Sequence, residues 1–145
     1  MITVIVTTRN SERTLPACLA ALVPAAVDAI VREVIVVDGG STDATLAIAE
    51  DAGAKLAAGM AEAAAAAKAD WLLILPAIVR LETGWDAEAA AHLQRHERRS
   101  AQFCASWWPL AGRKARGLLS RKDRFGKPLG RLRRMNSRAF VIDPQ

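Results

Sequence analysis

Glu33-Val34-Ile35-Val36-Val37-Asp38-Gly39-Gly40-Ser41-Thr42-Asp43 reads as a buried strand that ends in a carboxylate, passes through a Gly-Gly turn and opens a helix. Val34 to Asp38 is apolar up to its last residue, which suits a central strand covered on both faces. A strand, a glycine turn and a helix start, in that order, build a nucleotide pocket at the C-terminal edge of a parallel sheet.

Working outward from this segment, the pattern repeats. Ile2 to Thr7 is β-branched and predicts a first strand, followed by a polar loop over Thr8 to Ser11. Thr14 is placed to cap a helix running to Leu22, with Pro16 tolerated in its first turn and Leu15, Cys18, Leu19 and Leu22 at helical spacing. Ser41 or Thr42 is expected to cap a helix over Asp43 to Ala52, which Gly53 ends. Ala54 to Ala57 predicts a short strand, Gly59 to Ala69 an alanine-rich helix, and Trp71 to Leu75 another strand. Thr83 or Gly84 opens a helix to about Arg95. The alternation predicts an α/β fold with a doubly wound, mainly parallel sheet and helices on both faces. Beyond Arg99 the pattern weakens. Ala101 to Trp108 and Arg138 to Ile142 are expected strands, and Gly112 to Arg134 is basic and broken by glycines.

At 145 residues the chain is expected to be one domain, with an α/β part over 1–99 and a basic part over 100–145. A hydrophobic content of 52% with 24% charged residues excludes a disordered chain, although alanine inflates the apolar count. The net charge of +5 hides an asymmetry: residues 1–94 carry net −6 and residues 95–145 net +11. That split directs the C-terminal third toward an anionic partner such as phosphate, nucleic acid or lipid headgroups. The longest apolar run, Trp71 to Val79, falls well short of the roughly 20 residues of a membrane span. The N-terminus lacks the pattern of a signal peptide. Cys18 and Cys104 are far apart, without a CxxC, and read as buried free thiols in a reducing compartment. The expected location is cytoplasmic, or peripheral to the inner face of a membrane.

These residues resemble family 2 glycosyltransferases of the GT-A fold. The similarity rests on Val4-Ile5-Val6 with Thr8-Arg9-Asn10, on Val36 to Thr45 around Asp38-Gly39-Gly40-Ser41-Thr42-Asp43, on Ala52-Gly53-Ala54, on Asp70 to Leu75, on Arg80-Leu81 and on Gly84-Trp85. The resemblance implies a protein that binds a nucleotide diphosphate sugar and transfers the sugar to an acceptor. By position, Thr8 and Asn10 would line the base and ribose, and Asp38 would accept a hydrogen bond from the base. Gly39 and Gly40 would let the backbone approach closely, with Ser41 and Asp43 at the helix start. Bland roles stand beside these: Asp38 ending a strand, and Ser41, Thr42 and Asp43 capping a helix.

Two departures from the family pattern bear on activity. The family places an Asp-x-Asp metal signature after the strand that is Trp71 to Leu75 in this chain, and those acids hold a cation on the diphosphate. This chain has Pro76-Ala77-Ile78 at that point, so no metal cofactor is expected. Glu82 and Asp86 are displaced by four residues or more and suit a loop acid and a helix-start acid. The family's acceptor-activating carboxylate has no evident counterpart. Asp123, within Arg121-Lys122-Asp123-Arg124, is a weak candidate whose ordinary reading is a surface ion pair, and Asp143 is the other late acid. The acceptor-side half is expected to be shortened. A catalytically inactive nucleotide-binding or regulatory module is therefore the alternative to a transferase.

Residues 112–138 hold 11 Lys/Arg and one Asp. Arg113, Lys114, Arg121 and Lys122, with Arg116 and Arg124, are candidates for binding the diphosphate in place of a metal. A solvated basic face, an anionic membrane surface or a partner chain are the other readings of this stretch, with Trp107-Trp108 and Leu118-Leu119 as apolar anchors or core. Nucleic acid is not an expected partner, because Phe125 is the lone aromatic among these cations. His92 and His96 share the i, i+4 spacing of a zinc pair, without the glutamate or third ligand of such a site.

Overall fold

The computed structural model describes residues 1–105 and 117–141. Ile2–Thr8 forms β1 and Val31–Asp38 forms β2, joined through the short helices Leu15–Ala20 (α1) and Val23–Val27 (α2). Thr45–Asp51 (α3), Lys55–Ala57 (β3) and Met60–Ala66 (α4) lead to Trp71–Pro76 (β4). Val79–Leu81 (β5) and Trp85–Arg95 (α5) follow, then Ala101–Ala105 (β6), Gly117–Arg121 (β7) and Arg133–Val141 (β8).

The eight strands form one sheet in the order β3-β2-β1-β4-β7-β6-β8-β5. The first four in that order pair in parallel, as the alternating pattern predicts. The sheet turns antiparallel where β7 pairs with β4, and β6 and β8 pair in parallel beyond it. Because β4 pairs with β7 and β5 with β8, the early and late parts of the sequence share one sheet.

Side-chain alternation sorts the core. Ile2, Val4, Val6, Leu73 and Leu75 face the larger apolar layer, with Leu15, Cys18, Trp85, Phe103 and Leu119. Ile5, Ile35 and Leu72 face the opposite layer, against Ala63, Ala64 and Ala67. The alanine-rich helix α4 therefore supplies small residues that bring its backbone close to the sheet. Trp85 ties α5 to the end of α1 through its indole N–H, which donates to the Ala21 carbonyl at 3.0 Å. Cys18 is buried, and burial pushes its thiol up to about 12. No helix among the described residues is long and apolar enough to cross a membrane.

Several boundaries differ from the sequence expectation. The helix expected over Thr14 to Leu22 breaks, because Pro24 has no N–H to continue the ladder and instead opens α2. Ser41 and Thr42 do not cap α3; it starts at Thr45 behind an Asp43 turn. In the basic stretch Gly112 to Arg134, for which the sequence predicts no strand, β7 forms and β8 begins at Arg133, ahead of the strand expected from Arg138; both are held by pairing with strands distant in sequence. Trp107, Trp108 and Ile142 lie outside the described residues.

Candidate functional site

The parallel pairing ends β1, β2 and β4 at one edge. Thr8 stands opposite Asp38 and Thr7 opposite Pro76. The Gly39 N–H donates to the Thr8 carbonyl at 2.8 Å, and the Ala77 N–H to the Thr7 carbonyl at 2.9 Å. Three loops thus leave the sheet side by side at its C-terminal edge.

Asp38 organises two of them. Its Oδ1 accepts from the Thr8 hydroxyl at 2.7 Å and the Ser41 hydroxyl at 2.5 Å. Its Oδ2 accepts from the Gly40 N–H at 3.0 Å and the Ser41 N–H at 2.7 Å. Gly40 has a φ of +94°, a conformation that favours glycine, and so turns the chain back over the carboxylate. Burial alone would raise the Asp38 pKa, but the Ser41, Thr8 and Gly40 hydrogen bonds outweigh it and hold it at about 2. A carboxylate has about four acceptor positions, and the protein's own donors occupy them at Asp38. In this arrangement Asp38 shapes the loops and presents no spare acceptor to a base.

A second ring of contacts closes the loops outside Asp38. The Asn10 N–H donates to the Ser41 hydroxyl at 2.8 Å, and the Asn10 side-chain oxygen accepts from the Thr42 N–H at 2.8 Å. Asn10 holds a φ of 47°, the left-handed region that asparagine tolerates better than most residues. The Ser11 N–H donates to the Thr45 hydroxyl at 2.8 Å, and the Ala44 N–H to Glu12 at 3.1 Å. Asp43 accepts from the Thr45 hydroxyl and N–H and from the Glu12 N–H, which lower its pKa against a smaller effect of desolvation. Glu12 and Thr45 complete this ring; Glu12 carries no signal in the sequence, since its partner Ala44 lies 32 residues away.

Arg9 is an exposed cation of this edge. A Cβ built on Gly39 would lie 3.6 Å from the Arg9 Cβ and 3.7 Å from its Cδ, so the arginine stem runs beside the Gly-Gly turn. It makes no ion pair among the described residues.

The turn after β4 offers no side-chain ligand for a divalent cation. Pro76, Ala77 and Ile78 carry no side-chain oxygen, and Ala77 is buried beneath the turn. Such a donor set does not fit Mg²⁺ or Mn²⁺, which are held beside substrate phosphates by one or two carboxylates. Glu82 precedes α5 and Asp86 lies in its first turn. His92 and His96 are adjacent, with ring centroids 5.1 Å apart. Both nitrogens of His92 are engaged, however: Nε2 lies 2.5 Å from the Arg99 carbonyl and Nδ1 lies 3.1 Å from an Arg133 guanidinium nitrogen. The carbonyl can only accept and the guanidinium can only donate, so Nε2 carries the proton and neither nitrogen is free for zinc.

The remaining candidates do not gather at this edge. Arg121 stands opposite Trp71, at the start of β4. Thr8 ends the neighbouring strand, roughly 20 Å away at 3.3 Å per residue. Lys122 caps the end of α4, donating to the Ala65 and Ala67 carbonyls at 3.0 and 2.7 Å. Asp123 pairs with Arg121 at 3.3 Å, and its side chain is 64% exposed. All three belong to the opposite edge from Asp38. Arg113, Lys114, Arg116 and Asp143 lie outside the described residues.

A family model described as Glycosyl transferase family 2 matches residues 3–104. Among solved structures, S. aureus TarS 1-349 in complex with UDP-GlcNAc is 25% identical, with a TM-score of 0.56 over 72% of this chain and 34% of that one. Glucosyl-3-phosphoglycerate synthase from Mycobacterium tuberculosis, in complex with Mn²⁺, UDP-glucose and phosphoglyceric acid, is 24% identical. Its TM-score is 0.57 over 75% of this chain and 45% of that one. The chain thus spans less than half the length of these structures. No curated protein matches it.

Proposed function

The chain belongs to glycosyl transferase family 2 and has the GT-A fold, and we propose that it binds a nucleoside-diphosphate sugar at the Asp38 edge without a metal held by the turn after β4. One observation carries this reading. The loops after β1 and β2 are knotted around Asp38 into a fixed platform, where parallel α/β sheets bind nucleotides. Thr8, Asn10, Gly39, Gly40 and Ser41 set the platform for base and ribose. Arg9 lies beside the Gly-Gly turn, where a guanidinium can bind a diphosphate bidentately. If the chain is active, the sugar passes to an acceptor hydroxyl.

A second reading, a nucleotide-binding module without turnover, is favoured by the absence of side-chain oxygens in the turn at residues 76–78 and by the position of Asp123 at the far edge. One experiment separates the two. Thermal stability is measured with UDP, GDP, CDP and their sugar conjugates, each with and without Mn²⁺. UDP comes first, because structures of both neighbours contain UDP or a UDP-sugar. Ligand at about 100 times its dissociation constant should add roughly 2.7 kcal/mol. A shift that ignores Mn²⁺ and disappears in Asp38→Ala supports the site. Release of nucleotide from the sugar conjugate in chelator then identifies a transferase, and binding without release the module. No shift with any nucleotide overturns both.

A further inference from the structure

The edge of the sheet opposite Asp38 carries an open surface hollow of about 630 Å³ between the end of α5 and the loop before β8. Arg95, Arg98, Arg99 and Arg131 line it, together with one carboxylate, Glu97. A second hollow shares Glu97 and Arg98 with it and adds Arg124 and the Arg121–Asp123 pair. We propose that this arginine-lined hollow is a binding site for a phosphate-bearing anion, separate from the nucleotide site.

Three observations carry the assignment. First, Arg95, Arg98, Arg99 and Arg131 are all exposed and make no ion pair among the described residues. Arg95 at the end of α5 has an ordinary role against the helix dipole. Arg98, Arg99 and Arg131 lie beyond that helix; Glu97 offsets one of these charges, and an anion relieves the repulsion that is left. Second, the loop that carries Arg98 and Arg99 is fixed. The Arg99 N–H donates to the His96 carbonyl at 3.1 Å, the Arg99 carbonyl accepts from His92, and the Ser100 carbonyl accepts from the Arg133 N–H at 3.0 Å. Guanidinium groups held on a fixed loop lose less freedom on binding. Third, the cations come from two segments and face a concave space, and arginine forks match phosphate oxygens bidentately. A free phosphate ester and a lipid phosphate headgroup share this chemistry.

The full chain is titrated with inorganic pyrophosphate without divalent cations, and is sedimented with vesicles of phosphatidylglycerol in phosphatidylcholine or phosphatidylcholine alone. Saturable pyrophosphate binding identifies a free phosphate ligand. Binding to the anionic vesicles without pyrophosphate binding identifies a lipid headgroup. In either case Arg98→Glu with Arg131→Glu should weaken binding roughly tenfold or more, while Arg98→Lys with Arg131→Lys should weaken it less and Asp38→Ala not at all. The proposal is overturned if neither probe binds, or if the glutamate pair leaves binding unchanged. Full binding by the lysine pair overturns it as well, since net charge alone would then suffice. Loss of binding in Asp38→Ala overturns it by placing the anion at the nucleotide edge, and UDP binding by the glutamate pair keeps the two sites distinguishable.

Discussion

Ser41 holds Asp38 from two directions, its hydroxyl on Oδ1 at 2.5 Å and its N–H on Oδ2 at 2.7 Å. This pair sets the acid stability of the platform. Asp38 has its pKa depressed from 3.8 to about 2, so its contribution is complete above 3.8 and is lost as pH falls through about 2. After allowance for its partial exposure, the contribution is about 1 to 2 kcal/mol. Denaturant unfolding of the wild type and of Asp38→Asn should differ by that amount at neutral pH and converge near pH 2. An equal difference at both pH values would mean that the charge of Asp38 does not hold the two loops.

Asn10 is expected to tolerate glycine better than alanine. Alanine loses the bond to the Thr42 N–H and must also hold a φ of 47°, whereas glycine loses the bond alone. Asn10→Ala should cost about 2 kcal/mol and Asn10→Gly about 1. Denaturant unfolding of both variants checks this, and equal costs would mean that the backbone conformation is unstrained.

Arg9 is the cation proposed to meet the diphosphate. Arg9→Ala should weaken UDP binding by about 1.5 to 3 kcal/mol, the worth of a hydrogen bond to a charged group, with a much smaller effect on uridine. Folding stability should be unchanged, since Arg9 makes no ion pair among the described residues. Calorimetry with both ligands checks this, and an equal loss for uridine would move Arg9 to the base or ribose.

Local chemistry was readable in the sequence, and non-local capture of side chains was not. The strand ending at Asp38 announces itself because the β-branched run and Gly-Gly turn need no distant partner. Ser41 and Thr42 resemble helix caps by composition, but the Ser41 hydroxyl turns back three residues to Asp38, and the Thr42 hydroxyl meets Asn10 across the fold. Strand β7 was hidden because Gly117-Leu118-Leu119-Ser120-Arg121 lies in a basic, glycine-broken stretch. Its pairing with β4 is long-range. Arg121 and Lys122 looked like phosphate ligands from charge alone, and only strand direction places them at the other edge.

Glu88 shows the same limit and carries its own prediction. Between Gln102 and Cys104 of β6, strand β8 advances from Arg134 to Arg138, so it bulges. The bulge frees the N–H groups of Asn136 and Ser137, which donate to Glu88 at 2.5 and 2.7 Å. Burial raises the Glu88 pKa, and these two bonds outweigh it and lower it. Glu88→Ala should cost about 2 kcal/mol. Amide exchange at Asn136 and Ser137 should accelerate far more than in the flanking paired residues, and uniform acceleration along β8 would mean that Glu88 does not hold the bulge.

His92 is the fold's other pH-sensitive joint. It is buried against Trp71 with ring centroids 5.7 Å apart, and it links the Arg99 carbonyl to the Arg133 guanidinium. Burial lowers its pKa below 6.5, and the positive charge of Arg133 adds to the effect of burial. The folded protein therefore takes up its proton less readily than the unfolded chain. Stability from this residue is intact above pH 6.5 and declines as pH falls from 6.5 toward the depressed folded value. Protonation would also turn Nδ1 from acceptor to donor and set it against the Arg133 donor. His92→Gln should cost about 1 to 3 kcal/mol at pH 8 and should flatten the decline between about pH 6.5 and 5. Parallel melting curves of the two proteins over that range check the sign. A decline as steep in the glutamine variant would assign the acid sensitivity to other groups.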